Sequence, residues 1–234
     1  MPSNKILICT ATYNESENII DLIKAIENLN IDLDILIIDD NSPDNTGEII
    51  QNYINNKDNI ILKTRESKSG LDTAHKYAYK YAKKNNYEYF ITLDADFSHN
   101  PSEIINFLNE LNNYDFIIGS RYVKGGQCEM KGFRLLLSYF GNKVIKTILN
   151  INCDEFTTSY RGFNLKKMNN FDLDIVKSKG YSFFMETIYQ IHKNNNSIKQ
   201  IPIIFKDRTK GISKIPKIEI FRTLYNLAIL KIRK

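Results

Sequence analysis

Two acidic clusters carry the most chemical potential in this 234-residue chain. Asp94-Ala95-Asp96 closes the apolar segment 89–93, where a strand is expected to end. Alternate carboxylates on a bending strand end can reach one metal ion. Hard oxygen ligands favour Mg²⁺ or Mn²⁺, which bring a phosphate ligand with them. The same acids suit a plainer task at a helix N-terminus, because Ser98-His99-Asn100-Pro101 follows. Asp39-Asp40-Asn41-Ser42-Pro43-Asp44 closes a second apolar run. Its carboxylates fit a ribose or base edge, and equally a polar turn that caps the next helix at Asp44 or Thr46.

Other chemistries find little support. The chain has no GxGxxG, no GxxxxGK[ST] and no GxSxG motif. Lys68-Ser69-Gly70-Leu71 is only a small loop ahead of a helix, a weak phosphate candidate. His75, His99 and His192 lack ligand spacing and read as surface or capping residues, not a zinc site. Cys128 lies in a polar, glycine-rich loop with no histidine placed as its base.

The elements that must position the acidic clusters follow from periodicity. Short apolar runs at 5–10, 34–39, 60–64, 89–93 and 116–119 read as strands. Helical spacing covers 16–29, 46–55, 71–85 and 102–111. This βαβα rhythm predicts a mostly parallel sheet flanked by helices, with ligands at the C-terminal strand ends, where the polar clusters fall. The second half is less regular. It reads as helices over 133–149, 181–193 and 218–231, with an edge strand over 198–205 that contains Pro202. No linker interrupts the chain, so a single domain is expected, with a regular half over 1–120 and a less regular half over 121–234.

Composition bounds the function. Apolar residues at 42% and charged residues at 25% exclude a disordered or collagen-like chain. Three scattered cysteines exclude a disulfide framework and suggest a reducing compartment. The N-terminal apolar run is too short for a signal peptide, and no run reaches the roughly 18–20 residues of a spanning helix. Residues 206–234 hold nine lysines and arginines against Asp207 and Glu219, a net charge of +7. The rest of the chain is slightly acidic, at −2 of a total of +5. This tail suits an anionic partner or a solvated basic face. It carries no recognised RNA or DNA module, so no nucleic-acid partner is expected.

Taken in order, several segments resemble the motifs of family 2 glycosyltransferases of the GT-A fold. They are Ala11-Thr12-Tyr13-Asn14-Glu15, the 38–44 and 94–99 clusters, and Gly119-Ser120-Arg121-Tyr122. Arg134 with Ser138 and Asn142 comes next, then Thr157-Thr158-Ser159-Tyr160-Arg161, Phe205-Lys206-Asp207-Arg208 and Gly211-Ile212-Ser213-Lys214. Within that family the ordered set is most similar to polyprenyl-phosphate (dolichyl-phosphate) mannose synthases whose catalytic subunit lacks transmembrane helices.

The resemblance implies an inverting hexosyltransferase acting on a nucleotide sugar, GDP-mannose above all, with polyprenyl or dolichyl phosphate as acceptor. UDP-glucose or another donor, a soluble glycan acceptor, and a catalytically silent binding partner are the alternatives. Tyr13, Glu15, Ile38, Asp40 and Ala95 would line the donor. Asp94 and Asp96 would hold Mg²⁺ or Mn²⁺, with Ser98 at a third position where relatives carry Gln. Arg121, Arg208 and Lys214 would bind phosphates, and Arg134 would guide the acceptor phosphate. A lipid acceptor places the enzyme on a membrane surface, peripheral on its cytoplasmic face, through residues 133–149 or 218–231 or an integral partner subunit. The alternative is that both helices pack on the core. Three positions depart from the pattern: Ala11 stands for Pro, Asp72 for Gly, and Glu155 or Asp154 for the Asp ahead of the Thr157 block.

Overall fold

The computed structural model describes residues 6–207 and 218–232. The strands β1 (Ile6–Thr12), β2 (Asp34–Asp39), β3 (Ile60–Thr64), β4 (Tyr89–Thr92) and β5 (Phe116–Ser120) fall where the apolar runs predict them. Four helices also match: α1 (Ile19–Glu27), α2 (Thr46–Tyr53), α3 (Leu71–Lys84) and α4 (Ile104–Leu111). Helix α1 buries Ile19, Leu22, Ile23 and Ile26, the stripe a 3.6-residue period lays on one face. Strand β2 is buried along its whole length, as a central parallel strand covered on both faces must be.

The remaining elements are β6 (Gln127–Cys128), α5 (Gly132–Leu149), β7 (Arg161–Asn164), α6 (Tyr181–Lys193), β8 (Ile198–Pro202), β9 (Ile204–Phe205) and α7 (Ile218–Ile232). The main sheet runs β3-β2-β1-β4-β7-β5-β8. Its strands pair in parallel except β7, which is antiparallel to both β4 and β5. Sequence periodicity misses β7, because Arg161-Gly162-Phe163-Asn164 has no apolar run to betray it. Gly162 lets α4 close on this strand, since a Cβ there would lie 3.1 Å from both Phe107 and Leu111. The expected edge strand splits at Ile203. β8 closes the main sheet, where Pro202 is tolerated, and β9 pairs with β6 in a second small sheet.

Alternate residues of each strand feed two apolar layers. Leu36 and Ile38 join α3, α6 and the ends of α5 and α7 on one face. Ile35 and Ile37 join α1, α2 and α4 on the other. Helices α5 and α7 each pack part of their apolar surface on the core and leave part exposed. Ile145 and Leu149 of α5, and Leu227 and Leu230 of α7, are buried in the core. Phe133, Leu136, Leu137, Phe140 and Val144 form an exposed stripe on α5, and Phe221, Leu224 and Tyr225 are exposed on α7.

Candidate active site

The C-terminal ends of β1 and β2 form one corner of the site. Asp39 is buried and accepts from the Thr12 hydroxyl at 2.9 Å and the Ser42 hydroxyl at 2.6 Å. It therefore holds the turn. Asp44 accepts from the backbone N–H groups of Thr46 and Ser16, each at 3.1 Å, and so fulfils the turn-capping reading. Burial opposes charge on Asp44, but these bonds hold its carboxyl below the ordinary value. Asp40 stands at the edge, ion-paired with Arg65 and accepting the Gly70 N–H at 3.3 Å. Tyr13 is half-buried, with Lys68 Nζ 3.8 Å above its ring. Glu15 takes the Asn18 amide at 2.9 Å. Ile38 and Ala95, expected to line a donor, turn their side chains into the two apolar layers instead. Both follow strand alternation, so a ligand would meet only their backbone.

The second corner follows β4. Asp94 is one-third exposed, and its Oδ1 accepts the Ser159 hydroxyl at 2.5 Å. Among the described residues, Oδ2 receives no hydrogen bond, and it lies 3.6 Å from His99 Nδ1. Asp96 is buried, and its Oδ1 accepts both the backbone N–H and the hydroxyl of Ser98, at 3.1 and 2.6 Å. Ser98 is thus bonded to Asp96 itself. Between them Phe97 holds φ 60, a left-handed conformation costly for an aromatic residue, which this turn sustains.

His75 and His99 are both buried, against the surface or capping expectation for them; His192 is exposed. His75 packs on Phe183 and Phe184, and burial pulls its pKa down to about 3. His99 Nδ1 faces the backbone N–H of Asp94 at 3.1 Å, and Nε2 faces Thr158 Oγ1 at 3.1 Å. An amide N–H only donates, so Nδ1 accepts and the ring proton sits on Nε2. Burial likewise lowers the pKa of His99.

The third corner follows β5. Arg121 is 8% exposed and Glu155 fully buried. Arg121 Nε and Nη2 fork onto the two Glu155 oxygens at 2.7 and 2.8 Å, and Nη2 also reaches Thr157 Oγ1 at 2.9 Å. Burial opposes the charge on both partners, yet their mutual attraction keeps Glu155 below and Arg121 above its ordinary pKa. Of the two acids ahead of the Thr157 block, Glu155 pairs with Arg121 and Asp154 binds Lys146. Arg121 Nη1 has no bond among the described residues. Phe205 packs on both Arg121 and His99, and the Lys206 N–H donates to the Ser98 carbonyl at 3.1 Å. Arg134 is half-exposed and lies 3.7 Å from Asp207. Arg208 and Lys214 lie outside the described residues.

Asp94 thus follows the end of β4 and Arg121 the end of β5, and the segment 157–159 bonds both. The profile of Glycosyl transferase family 2 matches residues 7–171. The chain belongs to glycosyltransferase family 2. This glycosyltransferase is 31% identical to the polyprenol monophosphomannose synthase of Mycolicibacterium smegmatis, over 99% of its own length and 89% of that protein. It is 28% identical to the undecaprenyl-phosphate mannosyltransferase of Micrococcus luteus, over 90% and 87%. Among solved structures, glucosyl-3-phosphoglycerate synthase from Mycobacterium tuberculosis, in complex with Mn²⁺, UDP and phosphoglyceric acid, superposes with a TM-score of 0.69 at 12% identity, covering 99% of this chain and 78% of that one. Mannosyl-3-phosphoglycerate synthase from Rubrobacter xylanophilus gives 0.66 at 13% identity, with 98% and 73% covered. At such identities these structures establish the GT-A fold of the glycosyltransferase. His99 and Ser159 lie inside motifs singled out in the sequence, but their bonds to Thr158 and Asp94 were not foreseen. Arg65, which pairs with Asp40, had no sequence signal.

Proposed function

We propose that this glycosyltransferase moves mannose from GDP-mannose to a polyprenyl phosphate at a membrane surface, with inversion at the anomeric carbon. One observation carries the reading. Glu155 and His99 are buried and committed to partners, while Asp94 Oδ2 and Arg121 Nη1 are left to meet substrate. Among the described residues, a site of carboxylates and a guanidinium, with its histidine bonded at both ring nitrogens, suits a nucleophile that arrives already ionised. A phosphate monoester is such a nucleophile, and its chief need is positioning. The mannosyl and polyprenyl assignments rest on the names of the two curated relatives.

No group of three or more metal-binding side chains occurs among the described residues, so a protein-only metal cage is absent from them. Two hard carboxylates in a partly open site fit an Mg²⁺ or Mn²⁺ ion that shares its shell with a diphosphate. When bound, the cation supplies positive charge to the leaving diphosphate. Asp94 and Asp96 would hold it, Asp40 and Tyr13 would face the nucleoside, and Arg121 would donate Nη1 to a phosphate oxygen. Residues 1–120 would serve the donor and 121–234 the acceptor, within one domain.

The membrane surface belongs to the same proposal. No helix among the described residues is long and apolar enough to cross a bilayer. The α5 stripe, led by Phe133 at 76% exposure, sits on a helix with Arg134, Lys143 and Lys146 and no acidic residue. Apolar and basic groups together suit an anionic bilayer surface. Converting Phe133 and Phe140 to Asp is expected to weaken sedimentation with anionic vesicles at least tenfold and to leave thermal stability unchanged, since both side chains already face solvent.

The deciding experiment is transfer of labelled sugar into organic-extractable lipid, with GDP-mannose and UDP-glucose compared, polyprenyl phosphate as acceptor, and Mn²⁺ or EDTA present. EDTA-sensitive label from GDP-mannose is expected. Label from UDP-glucose alone overturns the donor, and no lipid label from either overturns the acceptor.

A further inference from the structure

The antiparallel strand β7 reaches both sides of the site. Its register with β4 ends at the pair Thr92–Arg161, and just beyond it the Ser159 hydroxyl reaches Asp94 Oδ1 at 2.5 Å. On the other flank Ile118 pairs with Arg161, and the Gly119 N–H donates to the Tyr160 carbonyl. Residues 157–159 therefore run between the end of β4 and the end of β5. Each of the three grips a different group. Thr157 bonds Arg121 and Glu155, Thr158 bonds His99 Nε2, and Ser159 bonds Asp94 Oδ1.

The segment is itself anchored. Arg161 is buried, donating Nε to the Thr158 carbonyl at 2.9 Å and Nη2 to the Phe156 carbonyl at 3.1 Å. Its guanidinium lies over the Phe184 and Phe116 rings. Thr92 donates its hydroxyl to the Ser159 carbonyl at 2.5 Å. The backbone of the segment is thus tied down, and its hydroxyls are free to orient other groups.

We propose that Thr158 and Ser159 are positioning residues for Asp94, acting on it at two points. Ser159 fixes the carboxylate directly and turns Oδ2 outward. Thr158 acts through His99, which holds the Asp94 backbone N–H. One dipeptide thereby sets the rotamer and the backbone of the metal-binding acid, and through Thr157 keeps it in register with Arg121. The inference rests on the reading of Asp94 as a metal ligand. Partners of this kind, one bond removed from a metal, characteristically set its affinity over a 10–100-fold range.

The test is Mn²⁺ affinity, followed by the electron paramagnetic resonance of free Mn²⁺ in the presence of GDP or UDP. Metal-free nucleotide binding and thermal unfolding are measured alongside. Ser159→Ala and Thr158→Val are each expected to weaken Mn²⁺ binding about 10–100-fold. Metal-free nucleotide binding should be unchanged, and Thr158→Ser, which keeps the hydroxyl, should retain wild-type affinity. Mn²⁺ affinity within twofold of wild type in both variants overturns the proposal. So does a lowered unfolding temperature with unchanged affinity of the folded protein, which marks a merely structural role. Wild-type protein that takes up no Mn²⁺ beside either nucleotide overturns the metal reading, and this inference with it.

Discussion

Asp96→Ala is expected to abolish sugar transfer and metal-dependent donor binding. The substitution removes a hard ligand and also the acceptor that holds both the N–H and the hydroxyl of Ser98. Asp96→Asn separates these effects. It keeps an oxygen for Ser98 but loses the negative charge. Its unfolding temperature should stay close to wild type, while transfer falls about 10³-fold, or roughly 4 kcal/mol of transition-state stabilisation. Transfer rates under saturating Mn²⁺, with calorimetric unfolding, check both variants. A wild-type-like rate in either removes Asp96 from the site.

Glu155→Ala should be the most destabilising single change near the site. It leaves the Arg121 guanidinium buried without its carboxylate, and breaking such a pair costs about 3–5 kcal/mol. Urea unfolding measures the loss. Because the folded-state pKa of Glu155 lies below its ordinary value of 4.5, the pair stabilises the protein above about pH 4.5. That contribution fades as pH falls through the lowered pKa. Glu155→Gln should therefore be less stable than wild type at pH 7, and the gap should narrow as pH falls below 4.5 through the lowered pKa. Equal stability at pH 7 would contradict the pairing. Transfer should fall in both variants, since Arg121 loses the fork that aims it.

The first half of the fold was legible because its signal is local. Strands β1 to β5 are continuous apolar runs, helices α1 to α4 carry a 3.6-residue stripe, and the acidic clusters stand at strand ends where a parallel sheet collects its ligands. The acidic turn at 39–44 supported two readings, and the structure bears out the turn-capping one for two of its acids. Asp39 and Asp44 hold the turn, and Asp40 stands at its edge. Helix α5 was ambiguous for a different reason. Its apolar residues cover more than one face, and only packing decides that Ile145 and Leu149 go inward while Phe133 and Phe140 stay out.

The sequence by itself determined the residue types of the site, their order, and the strand ends that present Asp40, Asp94 and Arg121. Only the tertiary structure decided how they meet. Strand β7 is four residues long, half polar, and antiparallel to both neighbours, so neither length nor periodicity announces it. Its insertion between β4 and β5 bonds Ser159 to Asp94, buries His99 against Thr158, and turns Arg121 onto Glu155. Those contacts join residues 34 to 65 positions apart, and long-range pairing is chosen by the whole packed sheet, not by any local pattern.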